Sequence, residues 1–503
     1  MRKRNDFKLF KLAGRLALLA LACGGAAARA DVTLPKVFSD GMVLQREQPV
    51  SIWGRATPAG KISISFAGVT TDVTVDAAGK WWTLLPPLDA DATPRDLTIT
   101  GDGPTVTVRN VLVGDVWFCS GQSNLGYALS KATGGPEAAA AARDDSLRFF
   151  KVDVDGTPTP QEDVRGTWTP TTPETAEGVS AVAFWFASEL RKTVNVPIGV
   201  VQASIGGSPI EAWSRRQSLD GVGFMKPMLK RAEVVVANGK AAVAKDPATQ
   251  PFSELVRKST PGWLYNGCIA PLAGMRVRGF VWYQGESNVD NAEQYKTLFP
   301  RMIQDWRRQW DIRPIVPFLF VQIAARDSNA DESLGSPTAD LRLAQSMALD
   351  QPSTGMAVAI DTRAADWHPA DKRPVARRLA ALAMKLAYGK DVVTGGPIWV
   401  GRKFEAGKVT LRFHSPGGLV APGDEPSGFM IAGEDRRFVP ADAVIIGKER
   451  DTIELTAEGV DKPVAVRYGW TRGPVCDLTN TAGFPTAPFR TDDWPTPTTK
   501  PAK

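Results

Sequence analysis

The chain has 503 residues, 43% of them hydrophobic, with 60 Lys and Arg against 54 Asp and Glu for a formal net charge of +6. The first 30 residues alone carry seven Lys or Arg and one Asp, so the remainder holds 53 basic and 53 acidic side chains and is formally neutral. The length is too great for one hydrophobic core and predicts about two to four domains, while the charge balance argues against nucleic acid or an anionic membrane as a partner.

The opening stretch reads as an export signal over residues 1–30. Arg2 to Arg15 is basic, Leu16 to Ala22 is a short apolar run, and Ala28-Arg29-Ala30 is a small-residue cleavage pattern that would make Asp31 the first mature residue. The apolar run falls well short of the about 20 residues that a spanning helix requires, and no other segment is long enough to cross a bilayer. The expected location is periplasmic or extracellular, with lipid anchoring at Cys23 the lesser alternative. Cleavage leaves Cys119, Cys268 and Cys476, an odd number without metal-ligand spacing, so there is no disulfide framework and at most one bridge within the chain. The two histidines, His368 and His414, argue against a His-rich zinc site, and neither a metal nor a cofactor is expected.

From Val32 to Val108 short alternating runs (Ile62, Ile64, Phe66; Val73, Val75; Leu97, Ile99; Val106, Val108) are separated by Gly and Pro turns, which predicts a small β-sandwich over 31–110. Trp81 and Trp82 are expected to pack in or over it, with a sugar-binding role for the pair the lesser alternative. The pattern then becomes α/β over 111–394. Apolar strands are predicted at Val111 to Phe118, Ile198 to Ala203, Val277 to Tyr283, Ile315 to Ile323 and Met356 to Ile360. Between and after them lie helical segments at Ala181 to Lys192, Tyr295 to Trp310, Ala339 to Leu349 and Val375 to Leu386. Such alternation implies a mostly parallel sheet with helices on both faces. Alternation with Gly and Pro turns returns over 395–494 and predicts a C-terminal β-module, followed by a loose tail at 495–503.

In parallel sheets ligands bind beyond the carboxyl ends of the strands. Three predicted strands end in polar, glycine-bearing turns: Gly121-Gln122-Ser123-Asn124, Ser204-Ile205-Gly206-Gly207-Ser208 and Gln284-Gly285-Glu286-Ser287-Asn288. A serine on a sharp strand-to-helix turn presents its hydroxyl to a cleft beside amides able to bind an oxyanion. Serine hydrolysis further requires a base and an acid to orient it. His414 is out of phase with Val409, Leu411 and Phe413, which places it on a solvent face, so His368, in a loop fixed by Pro369, is the favoured base. Asp366 and Glu286 compete nearly level as the acid, with Asp361 a third choice. Oxyanion donors are expected from the amides of Ser123 and Gly206 and from the side chain of Gln284 or Asn288. Cys119, as an alternative nucleophile, falls on the buried strand.

Together these blocks resemble the SGNH hydrolase superfamily and, more narrowly, the sialate O-acetylesterase family of carbohydrate esterases. The resemblance spans Phe38-Ser39-Asp40-Gly41-Met42-Val43-Leu44-Gln45-Arg46, Gly114-Asp115-Val116-Trp117 and Gly121-Gln122-Ser123-Asn124. It continues through Gly206-Gly207-Ser208-Pro209-Ile210-Glu211-Ala212-Trp213, Trp282-Tyr283-Gln284-Gly285-Glu286-Ser287-Asn288, His368-Pro369 and Pro488-Phe489-Arg490-Thr491-Asp492-Asp493-Trp494. It implies an SGNH-like α/β fold and an exported, metal-free esterase that removes acetyl groups from sugars. Ser123 would be its nucleophile, His368 its base, and Gln122, Asn124, Trp213 and Tyr283 would meet the substrate. The sequence departs from the family pattern at Leu125 (usually methionine), at Ile205 (commonly tryptophan) and at Ala365, where the wider superfamily keeps its acid. Rival expectations are an esterase for xylan or xyloglucan acetates and a non-catalytic carbohydrate-binding protein.

Overall fold

The computed structural model describes residues 32–246, 248–328 and 335–499. The predicted export signal, Cys23 included, lies outside them. The centre of the chain is a seven-stranded sheet ordered Thr354–Val358, Phe318–Gln322, Gly279–Tyr283, Val106–Gly121, Ile198–Ser204, Asp144–Val152, Gly166–Thr171. Every neighbouring pair is parallel except the last, which is antiparallel. Val, Phe and Ile dominate these strands, and their alternate side chains feed two cores, as the pleat requires. Val116, Phe118, Phe280, Trp282, Phe318 and Phe320 face the helix Ala292–Trp310. Trp117, Cys119, Val281, Tyr283 and Leu319 face the helices Ala181–Val194 and Arg373–Leu386. The expected parallel sheet covered by helices on both faces is therefore present. Two of its strands, Asp144–Val152 and Gly166–Thr171, and the 20-residue helix Lys226–Lys245 were not predicted.

The central strand is unusually long. Its first half pairs with Asp91–Thr100 and Val43–Gln45 of the N-terminal module, and its second half runs on into the α/β core. It thus passes through the expected 110/111 boundary without a break. Asp115 at the crossing is fully buried, and its carboxylate accepts hydrogen bonds from Gln45, Arg46, Arg278 and Tyr388. Two cations and two neutral donors satisfy its lone pairs, as burial of a charge demands.

The C-terminal module is a pair of four-stranded antiparallel sheets around Val409, Leu411, Phe413, Ile431, Ile453, Val466 and Tyr468. His414 is exposed on its outer face, as its phase predicted. The tail is not loose over its described part: Thr496 is buried, and Thr498 donates to Asp340 Oδ2 through both its amide (3.2 Å) and its hydroxyl (2.7 Å). Asp340, near the start of the helix Pro337–Ser346, supplies an anchor that composition could not reveal. Cys119, Cys268 and Cys476 are buried and unpaired, and burial pushes all three thiols up. No helix of the described residues is long and apolar enough to cross a membrane.

Candidate active site

The central strand and its two neighbours end level. Gly121 is in register with Ser204 on one side and with Tyr283 on the other, so the three polar turns emerge at one height. The chain turns back on itself here: strands before residue 205 build one half of the sheet and strands after 278 the other, which opens a crevice at the switch. Gly121 has φ +146°, and a Cβ there would sit 2.1 Å from the Tyr283 carbonyl oxygen, so only glycine lets the strand leave the sheet at this point. The short helix Ser123–Gly126 follows at once, its first turn closed by the Gln122 backbone carbonyl, which accepts from the Leu125 and Gly126 amides.

Ser123 opens that helix, and its Oγ lies 2.8 Å from His368 Nε2. His368 Nδ1 in turn lies 3.2 Å from Asp366 Oδ2, while Asp366 Oδ1 accepts from the His368 amide at 2.8 Å. An Nδ1–H donated to the carboxylate leaves Nε2 as the acceptor for the serine hydroxyl. The His368 amide, more than its imidazole, holds the Asp366 carboxyl below the usual carboxylate range. The loop carrying both residues leaves the edge strand Thr354–Val358 and crosses towards the centre. It is pinned where Arg363–Ala364 pairs with Ala325–Arg326 and where the Arg326 guanidinium covers the Trp367 ring at 4.7 Å. Gly206 completes the neighbourhood: a Cβ there would come within 3.3 Å of Ser123 Cβ, so its backbone packs directly against the serine.

The model of carbohydrate esterases described as sialic acid-specific acetylesterase matches residues 113–370, which hold all three turns and the His368 loop. Human sialate O-acetylesterase is 30% identical over 502 residues, 90% of this chain and 91% of that protein. The chain belongs to this family. The mouse sialate O-acetylesterase is likewise 30% identical over 494 residues, covering 89% of this chain and 90% of the relative. Among solved structures, a carbohydrate acetylesterase from Xanthomonas citri superposes with a TM-score of 0.82 at 39% identity, covering 92% of this chain and all of that one. Membership makes the protein a carboxylic ester hydrolase.

Behind Ser123 this esterase has a second polar layer. Asn124 is fully buried; its Nδ2 donates to the Trp367 carbonyl (2.8 Å) and to Glu286 Oε1 (2.5 Å), and its Oδ1 accepts from Lys372 Nζ. One amide thus ties the nucleophile turn to the histidine loop. Glu286 makes no contact with His368 Nδ1, so Asp366 is the carboxylate in the orienting position. Asp361 is taken as well, by both Nη atoms of Arg378 at 2.7 and 2.6 Å. Burial pushes the Glu286 carboxyl up and brings the Lys372 ammonium down to about 8. Neither Lys372 nor Tyr127, whose ring stacks on His368 at 6.2 Å and lies beneath Lys372 Nζ at 4.8 Å, was singled out from sequence. Their spacing, four residues after His368 and four after Ser123, was the available signal.

Five expected roles do not fit the geometry, the first being that of Asn124, which is fully buried with both amide hydrogens spent on Trp367 and Glu286 and does not meet the substrate. Both amide hydrogens of Gln284 are spent, on the Ser208 carbonyl (3.2 Å) and on Asn288 Oδ1 (2.7 Å), so this buried side chain is not an oxyanion donor. Trp213 is sealed in the core, edge-on to Trp282, with its indole N–H on Ser208 Oγ, and cannot meet a substrate. Tyr283 is equally buried, on the helix-covered face of its strand. Gln122 is buried too; its Oε1 accepts from the Ser287 amide and braces the turn from within. Asn288 gives one N–H to Glu211 (2.9 Å) and accepts from the Ile210 amide, which places it between the second and third turns. Ser120 and Cys119 are fully buried and are no nucleophiles.

Proposed function

We propose that the protein is an exported carbohydrate O-acetylesterase that works through a Ser123-His368-Asp366 triad. The observation that carries this reading is the unbroken hydrogen-bonded line from Ser123 Oγ through the imidazole to the Asp366 carboxylate. In the reaction, His368 Nε2 takes the Ser123 proton as Oγ attacks the acetyl carbonyl, and Asp366 stabilises the imidazolium that results. The tetrahedral oxyanion would be held by the amides of Ser123 and Gly206, with Asn288 as the side-chain donor; each such donor contributes about 2.7–4 kcal/mol to the barrier reduction. His368 returns its proton to the departing sugar oxygen, then activates a water that frees acetate from Ser123. Export is supported by the sequence pattern at 1–30 alone.

A broader substrate range than sialic acid has one observation in its favour. The Xanthomonas citri protein, at 39% identity, bears the general name carbohydrate acetylesterase, and Ile205 sits half-buried where the family commonly carries tryptophan. Acetate release from a panel of O-acetylated sialosides, xylan and xyloglucan tests both readings. Release from the sialosides alone supports the narrow one, release from the plant polymers the broad one, and no release from any of them defeats the esterase assignment.

A further inference from the structure

All fifteen tryptophans of the chain lie among the described residues, and Trp82, at 54%, is the one that stands exposed. It lies on an antiparallel ribbon formed by Val50–Arg55 and Lys80–Leu85, in which Trp53 is opposite Trp82 and Arg55 opposite Lys80. Opposed residues share a face. Two indoles and two cations therefore stand on one side of the ribbon, while Ile52, Trp81 and Leu85 fill the core on the other. The outward face looks onto residues 161–163 and 270–274 of the core domain across a cavity of about 670 Å³. That volume falls within the roughly 300–1,000 Å³ of small-molecule sites, which favour such boundaries between domains.

The walls are fixed in place. Ser51 Oγ donates to the Gly274 carbonyl and ties the ribbon to the core at one end. At the other, Glu162 bridges both cations, with Oε2 2.8 Å from Arg55 Nε and Oε1 2.7 Å from Lys80 Nζ. Phe38 meets Trp53 edge-on at 4.5 Å and holds that ring in the wall. The result is a flat indole beside a rim of fixed charged donors and acceptors. A pyranose matches it, having a C–H face that packs on an aromatic plate and hydroxyls at its edge that pair with the rim. An acyl chain would strand those charges, and a polyanion would meet Glu162, Asp76 and Asp163 in the same lining.

We propose that this cleft is a second saccharide-binding site, separate from Ser123, in which Trp82 stacks against a sugar ring of the glycan whose acetyl groups the enzyme removes. The identity of the occupant rests on the esterase reading; the cleft does not. The test is affinity electrophoresis of Ser123→Ala protein through gels containing soluble acetylated xylan or O-acetylated submaxillary mucin. At least one polymer is expected to retard it, and adding Trp82→Ala to weaken retention about tenfold, with Trp82→Phe intermediate. Trp82→Ala alone should hydrolyse 4-nitrophenyl acetate with unchanged kcat/KM, which shows the fold intact; should it misfold, Glu162→Gln takes its place in the gel. No retardation by either polymer, or retardation indifferent to these substitutions, overturns the proposal. Failure of the unaltered enzyme to hydrolyse 4-nitrophenyl acetate would instead strike the esterase reading and leave the gel result standing.

Discussion

Ser123 Oγ and His368 Nε2 stand 2.8 Å apart although 245 residues separate them in the chain. Contacts of that reach between a hydroxyl and an imidazole at the ends of parallel strands activate the hydroxyl as a nucleophile. Ser123→Ala is expected to lower kcat/KM on 4-nitrophenyl acetate by about 10⁴-fold or more. Ser120→Ala, three residues earlier and fully buried, should leave it within a few-fold. Loss in the second variant alone would remove Ser123 from its role.

Asp366 and Glu286 can be separated by kinetics. Asp366 touches the imidazole but is 69% exposed, so water screens its charge. Asp366→Asn is expected to lower kcat by about 10- to 10³-fold, short of the roughly 10⁴ lost with a buried triad acid. Glu286→Gln keeps an acceptor for the Asn124 amide and should cost less. A larger loss from Glu286→Gln would reverse the assignment.

Asn124→Ala removes the hydrogen bonds to the Trp367 carbonyl, Glu286 and Lys372 at one stroke. Leaving two buried ionisable groups without their shared partner is expected to lower stability by about 3 kcal/mol, read from denaturant unfolding. With the histidine loop untied from the serine turn, kcat should fall while KM stays put. A variant with normal kcat would show that the two segments hold register without this amide.

Lys372 brings a pH dependence whose sign is fixed by burial. Its ammonium is lowered to about 8, so the charge donated to Asn124 is present below that pH and lost as pH rises through it. Activity is expected to show an alkaline limb near pH 8, absent in Lys372→Met. Stability should move the other way: the native lysine holds fewer protons than the unfolded one between about pH 8 and 10.4, so unfolding free energy from this group rises there. An activity loss that tracks unfolding would discard Lys372 as its origin.

Gly121→Ala probes the turn itself. Its Cβ would lie 2.1 Å from the Tyr283 carbonyl oxygen at a φ that L-residues rarely adopt. The expected result is loss of soluble protein or a fall of several degrees in the thermal midpoint, as for other incompatible glycine replacements. An unchanged midpoint would mean that the strand ends can separate without penalty.

Ser123, His368 and the five apolar strands were legible because each carries a local signature: a polar glycine turn after a Val- and Phe-rich run, or a lone imidazole in an otherwise suitable domain. Strand Asp144–Val152 escaped because it opens on Asp144-Asp145-Ser146, and Gly166–Thr171 because Pro170 and Gly166 mimic a loop. The helix Lys226–Lys245 buries only Leu229, Ala232 and Gly239, too thin a stripe to register as amphipathic. Choosing between Asp366 and Glu286 needed the loop's path across the sheet, which no pattern encodes. Trp213 and Tyr283 were drawn to the substrate by their neighbours in the motif, whereas the pleat and the helix turn aim them inward. Trp81 and Trp82 were both expected to pack in or over the N-terminal module, yet alternation along Lys80–Leu85 buries Trp81 and turns Trp82 outward.

The strand Val106–Gly121 serves two masters, with one end stitched into the N-terminal module and the other bearing the nucleophile. Cutting at its midpoint would bare a row of amides and carbonyls on the module side and strip Asp115 of the guanidinium at Arg46. The front β-module is therefore not cargo that can be unhitched or exchanged between enzymes. It forms part of the foundation on which the catalytic hydroxyl stands, and the smallest working fragment of this protein includes it.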